Sequence, residues 1–171
     1  MKHWLIILLT LCCLTACKQN AIRIVASDKE TAMQLKELLE KGGCRTTFSG
    51  HTARTIYLGL PPVLQEQYHP LVDSLKDDGY MIVGDGHDLV LYGKGEKGTL
   101  YAMYSFLEMM GYRLYSPEAM VVPDVSRMEL PVCRKLSNPA FCYREVAYYY
   151  PNHSQLYADW SITLSWFCCR Y

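Results

Sequence analysis

Three glycines in "LVLYGKGEKGTLYAMYSFLE" (residues 89–108) have the spacing of a phosphate cradle. Gly93, Gly95 and Gly98 fall on G-x-G-x-x-G, between an apolar strand-like run and an apolar helix-like run. In dinucleotide-binding folds such a turn lets backbone amides at a helix start approach a pyrophosphate, and Lys94 and Lys97 would add positive charge. That chemistry needs more than glycine. The turn must open a βαβ unit, and an acidic residue about twenty positions on must bind the ribose. Here the preceding strand reads as the second arm of a hairpin, and the downstream acid, Glu118, lies in a proline-bearing loop. The glycines are therefore expected to serve a tight turn and close helix–sheet packing, with no cofactor bound.

Other chemistry-bearing residues are sparse. His51, His69, His87 and His153 lack metal-ligand spacing, no C-x-x-C pair occurs, and Cys168 and Cys169 are adjacent, so no metal site is expected. Seventeen basic residues balance seventeen acidic ones, and no basic stripe interleaves with aromatics, which argues against a nucleic-acid partner. Fourteen tyrosines, several crowded between Tyr143 and Tyr157, can form core or line a sugar or protein site.

The elements that position these residues follow from periodicity. "AIRIVA" (21–26) alternates as a strand. Ser27 and Glu30 make a capping-box pair, and Ala32, Leu35, Leu38 and Leu39 share one helical face, closed by Gly42 and Gly43. Strands are expected at 44–49 and 55–59. A helix is expected to start at Pro61–Pro62, and Pro70 should break or kink it into two. Residues 79–93 read as a hairpin and Thr99–Met110 as a helix ended by Gly111. "YRLYS" is a last strand, and 117–139 is proline-punctuated, with "SRMELPV" its strand candidate. The order β-α-β-β-α-β-β-α-β implies an α+β domain: a mixed or antiparallel sheet with helices packed on one face, a two-layer sandwich. A single sizeable core suits 171 residues.

The chain starts with Lys2 and an apolar run from Trp4 to Leu14, too short to span a bilayer and laid out as a secretory signal. Leu14-Thr15-Ala16-Cys17 resembles the lipobox of bacterial lipoproteins, which implies a signal peptide over 1–17 and lipid attachment at Cys17. The alternative is a plain signal peptide. Lys18 after the cysteine implies, by the same resemblance, an outer-membrane lipoprotein facing the periplasm or the cell surface. Export would leave Cys44, Cys133, Cys142, Cys168 and Cys169 where disulfides persist.

A second resemblance covers roughly residues 21 to 160. The glycine turn with Tyr101, Ala102, Tyr104, Phe106, Leu107 and Glu108, followed by "GYRLYSPE", looks like the end of the small N-terminal domain of bacterial beta-N-acetylhexosaminidases. It is also similar to the matching domain of alpha-glucuronidases and to large lipoproteins that carry this domain before a glycosidase-type barrel. Pro139, Phe141 and Arg144 in "NPAFCYREVAYYYP" match the Pro-x-Phe-x-x-Arg segment that opens the hexosaminidase barrel, whose arginine grips sugar hydroxyls. Glu145 stands where those enzymes have glycine, so Arg144 is either a sugar contact or an arginine paired with an acid. The resemblance divides the chain into the signal (1–17), the N-terminal domain (18–136) and the incomplete start of a (β/α)8 barrel (137–171). A full barrel needs about 250 residues, and after Arg144 only Glu145 and Asp159 could supply the carboxyl groups of glycoside hydrolysis. No catalytic residue is therefore assigned. The expected role is a non-catalytic domain buttressing a barrel absent from this chain; the alternative is a glycan-binding or assembly module of the cell envelope. The partners implied are that barrel, a glycan and the membrane holding the lipid anchor.

Overall fold

The structure is a computed structural model that describes residues 21–95, 97–116 and 119–140. Ile22 and Ile24 alternate inward along β1 (Ile22–Ala26), as the period-two pattern requires. Helix α1 (Lys29–Lys41) buries Ala32, Leu35, Leu38 and Leu39, the stripe read from the sequence. Its cap is Asp28 rather than Ser27. The Asp28 carboxylate accepts from the amides of Glu30 and Thr31 and from the Thr31 hydroxyl, so its two oxygens satisfy more donors than the serine would. Gly42 closes the helix as expected.

The expected strand at 44–49 shrinks to β2 (Thr46–Thr47), while β3 (Arg54–Leu58) forms close to its expected place. Helix α2 (Pro62–Asp73) starts at the proline pair and runs through Pro70 as one helix rather than two. Pro70 sits in the last turn, and both it and Glu66 are exposed, so the carbonyl deprived of an amide partner can be hydrated. Strands β4 (Tyr80–Asp85) and β5 (Asp88–Gly93) make the expected hairpin, pairing Val83 with Val90 and Ile82 with Leu91. Helix α3 (Gly98–Met109) follows, and Gly111 ends it with a backbone φ of 97°. β6 (Arg113–Leu114) pairs with β7 (Met120–Val121) in a small separate ribbon. The last strand, β8 (Val132–Ser137), starts on the last residue of the candidate "SRMELPV", whose earlier residues are irregular. Val125, Met128 and Leu130 from that irregular stretch are buried nonetheless, closing the core beside α1.

The main sheet has the order β2-β1-β3-β5-β4-β8. Its first four strands run parallel, and β4 is antiparallel to both β5 and β8. This is the mixed sheet with packed helices that the sequence predicts. Side chains alternate across it. Ile22, Ile24, Ile56, Leu58, Leu89, Leu91, Tyr80 and Ile82 meet α1 and α3 on one face. On the other face, Tyr57, Val90, Tyr92, Met81 and Val83 meet α2. The two-layer arrangement thus holds for α1 and α3, and α2 adds a partial layer opposite them.

Candidate functional site

The glycine turn is the one sequence-nominated site that lies within the described residues. It follows β5, which pairs antiparallel with β4 and parallel with β3. At its two ends the backbones of Gly93 and Gly98 touch. A Cβ on Gly93 would lie 1.9 Å from the Gly98 carbonyl carbon, and one on Gly98 would lie 2.6 Å from that of Gly93. Strand and helix start are therefore packed at backbone distance, which only glycine permits. Between them Gly95 takes a positive φ of 77°. Polar groups of Gly93 and Lys94, at the start of the turn, are engaged locally. The Gly93 amide donates to Thr99 Oγ1 (3.2 Å), the Lys94 amide to the Gly79 carbonyl (2.9 Å), and the Lys94 ammonium to the Leu75 carbonyl (3.3 Å). The arrangement does what a structural turn requires: it locks the β4–β5 hairpin to the start of α3.

Cys17, Phe141, Arg144 and Glu145 lie outside the described residues, as do Glu118, Cys142, Cys168 and Cys169. Pro139 is within them, two residues past β8. His153 lies outside the described residues; the other three histidines named above lie within them. His69 pairs with Asp73 on exposed α2 (3.0 Å), His87 sits in the β4–β5 turn, and His51 lines a groove at the β2 edge. Among the described residues no three His, Cys, Asp or Glu side chains gather as metal ligands, and no helix is long and apolar enough to cross a membrane. Cys44 and Cys133 are free thiols, both pushed up in pKa chiefly by burial.

Three of the carboxylates that can be placed have local structural roles. Asp85 accepts from the amides of Asp88 (2.7 Å) and His87 (2.8 Å), and these bonds hold it below the usual carboxylate range. Asp124 is lowered likewise by Ser126, and Glu40 is lowered by its bond to Lys36, with Thr46 adding a second donor. Glycoside hydrolysis uses two carboxyl groups flanking a cleft. Among the described residues, the carboxylates discussed are turn, cap or ion-pair groups instead.

One polar feature escaped the sequence reading. Across the α2 face the strand register aligns Thr47, Arg23, Thr55 and Asp88 in a row. Arg23 donates from Nη1 to the Gly50 carbonyl at 3.4 Å, while its buried Nε has no hydrogen-bond partner. The signal was present in the outward positions of β1 and β3, but only the register puts them side by side. Nearby, a groove of about 790 Å³ is lined by Glu40, Cys44, Arg45, Thr46, Thr47 and His51 among others. It offers hydroxyl and charged groups, with the Cys44 thiol buried at its wall.

No protein-family profile matches the chain, and no curated protein does. Among solved structures, a GH138 enzyme targeting pectin rhamnogalacturonan II is similar at 15% identity and a TM-score of 0.46. The match covers 78% of this chain and 18% of that enzyme, so the chain spans less than a fifth of its length. A likeness of that strength carries nothing about activity to this chain.

Proposed function

We propose that residues 18–136 form the non-catalytic N-terminal domain of an exported carbohydrate-processing lipoprotein. In this reading Cys17 carries the lipid, the outer membrane holds the anchor, and residues 137–171 begin a barrel whose remainder lies outside this chain. The observation that carries the proposal is the run from Gly93 to Tyr115, whose sequence resembles the end of a hexosaminidase-type N-terminal domain. Its glycines are spent on backbone packing, which fits a supporting domain better than a ligand-binding one. The engagement of Asp85, Asp124 and Glu40 in local bonds fits the same reading. Arg144, at the head of the barrel segment, is assigned to sugar hydroxyls, to which a guanidinium presents several donors at once.

The test is activity on aryl-glycosides. The 171-residue chain is expected to show none, whereas the chain continued through a complete barrel is expected to turn them over. In the continued chain, Arg144→Ala should cost on the order of 2–4 kcal/mol in kcat/KM, as loss of a charged hydrogen bond in a buried site does. Turnover by the short chain that disappears on mutating Glu145 would refute the proposal. An inactive continued chain that still binds glycan would favour the envelope-module reading.

A further inference from the structure

We infer that Lys135 holds β8 in one of two competing registers, and that the register it selects is the one the strand's own apolar pattern disfavours. In β8, "VCRKLS", Val132 and Leu136 fall on one side of the strand and Cys133, Lys135 and Ser137 on the other. A strand with one face on a core ordinarily turns its apolar side inward. Here the sides are reversed. Pairing with β4 sets Lys135 opposite Ile82 and Cys133 opposite Gly84, on the α3 side. Val132 and Leu136 are left 81% and 38% exposed, with exposed Arg134 between them. A slip of one residue against β4 would turn Val132 and Leu136 inward, since it moves every side chain to the opposite side. Something specific must therefore hold the strand.

The contacts of Lys135 supply that specificity. Its ammonium donates to Ser105 Oγ at 2.7 Å and lies 5.9 Å from the centre of the Tyr80 ring. The Tyr80 hydroxyl donates to the same Ser105 oxygen at 3.1 Å. Ser105 is fully buried on α3 and Tyr80 nearly so, and buried hydroxyls are costly to leave without partners. After a slip they would meet Leu136 or Arg134 in place of Lys135, an apolar chain or a planar guanidinium. A compact ammonium suits a single oxygen acceptor better than either. A second tie acts at the strand's end. Asn138 Oδ1 accepts from the Lys76 amide at 2.8 Å, and its Nδ2 donates to the Ser74 carbonyl at 3.0 Å. A shift of one residue, about 3.4 Å, breaks both bonds. Polar contacts in the core thus choose between arrangements that apolar burial alone would rank the other way. β8 is thereby a two-state element. The inference concerns this strand alone and does not rest on the role proposed above.

The thiol of Cys133 reports the register in the full chain. It is half-buried against the core, and burial raises its pKa despite lowering contributions from Gly84 and Lys135. A slip turns it out to the α2 side. Lys135→Ala is therefore expected to speed its alkylation by iodoacetamide about tenfold, since exposure relieves the burial that suppresses the thiolate. Mass spectrometry of the peptides separates Cys133 from the other cysteines. A purely local loss would have the opposite sign, because the Lys135 charge itself favours the thiolate. Adding Val132→Ser and Leu136→Ser to Lys135→Ala removes the apolar pull and is expected to restore slow alkylation. In Lys135→Ala the Lys76 amide should exchange faster, having lost Asn138, while the β4 amides bonded to β8 stay protected, because a slipped strand remains paired. Three results would overturn the inference. One is alkylation of Lys135→Ala at or below the wild-type rate, and another is fast alkylation that persists in the triple variant. The third is loss of protection along β4, which would mean that β8 detaches instead of slipping.

Discussion

The two faces of the sheet are built from the same strands and finished to different degrees. On one, α1 and α3 press Leu35, Leu39, Met103, Phe106 and Leu107 against Ile22, Ile56 and Leu89, and all of these are fully buried. The irregular stretch after β7 folds over the end of that layer, with Tyr112 donating to the Leu38 carbonyl at 2.8 Å and the Val125 amide to the Gly42 carbonyl at 2.7 Å. On the other, a single helix packs over the centre of the sheet, and Val132 on β8 is exposed. The difference also lies in the helices. Helix α3 is apolar over most of its surface and behaves as a core element, whereas α2 carries one narrow stripe. One face is a completed core; the other is only partly covered by the described residues.

The largest expected effect comes from truncating the finished face. Phe106→Ala should cost about 3–5 kcal/mol in denaturant unfolding, because the surrounding layer cannot collapse into the space. Leu71→Ala on the α2 face is the matched probe. An open face would lose only about 1 kcal/mol, since Leu71 is half-buried and water fills the gap. A loss of about 2–4 kcal/mol would instead mark a leucine as buried as those of the finished face. The smaller loss is the one expected, since Leu71 is only partly buried.

Next in size is the seam between the hairpin and α3. Gly93→Ala drives a Cβ into the Gly98 backbone, with no flexible side chain to yield. Overpacking of this kind costs about 1–3 kcal/mol or more. Thermal unfolding should show Gly93→Ala well below wild type. Gly50→Ala, where a Cβ meets open space at a φ of 85°, should show only the smaller penalty of a strained backbone. Equal losses at the two glycines would mean that conformational freedom, and not close approach, is what Gly93 provides.

What could be read from the sequence divides along the same line as the two faces. The stripe on α1, the hairpin and the core of α3 were legible because each is a local period with a strong start or stop signal, such as Gly42 or Gly111. Asp28 was missed for Ser27 because both are good caps and adjacent, and only the backbone angles choose between them. Pro70 did not break α2, because it falls in a solvent-facing last turn that local rules do not identify. β8 was displaced from its expected start because "VCRKLS" alternates only weakly: it is an edge strand whose pairing with β4 fixes it, not its own composition. The Arg23–Thr55–Asp88 row was invisible for a related reason, since it exists only through the register of three strands. At the glycine turn the sequence argument and the geometry agree on packing, while Cys17 and Arg144 rest on resemblance alone.

A smaller effect should come from Tyr112, which joins the end of α3 to the end of α1. Burial, with a lesser contribution from Cys44, raises its pKa to about 12. The ordinary tyrosine value is about 10, so the folded state favours the neutral phenol. Its contribution is therefore complete below about pH 10 and lost as pH rises toward about 12. Tyr112→Phe should cost about 1 kcal/mol near neutrality, at the low end for a buried hydrogen bond, because the Leu38 carbonyl keeps the Gly42 amide. The same variant should lose less stability than wild type between about pH 9 and 11.5. Urea titrations at both pH values that shift wild type and variant equally would show that Tyr112 is not the group responsible.

The smallest effect expected is at the helix starts, and it repeats the contrast in miniature. Helix α1 has a carboxylate cap in Asp28; α2 starts at Pro61, whose side chain caps nothing. Asp28→Ala should therefore cost about 0.5–1 kcal/mol, and Pro61→Ala should cost less, since it removes no hydrogen bond. The two differ in pH dependence as well. The bonds from Thr31, then those from Glu30, hold the Asp28 pKa below the usual carboxylate range. A lowered folded pKa means that the cap's contribution is full above the unfolded value of about 4 and is lost as pH falls through the lowered one. Asp28→Asn keeps an oxygen for one amide without a titrating charge, so it should match wild type near neutrality and be the less acid-sensitive of the two. If thermal melts across that acid window run parallel for wild type and Asp28→Asn, the carboxylate contributes no more than an amide would. The finished face would then owe nothing to charge at its edge and everything to packing.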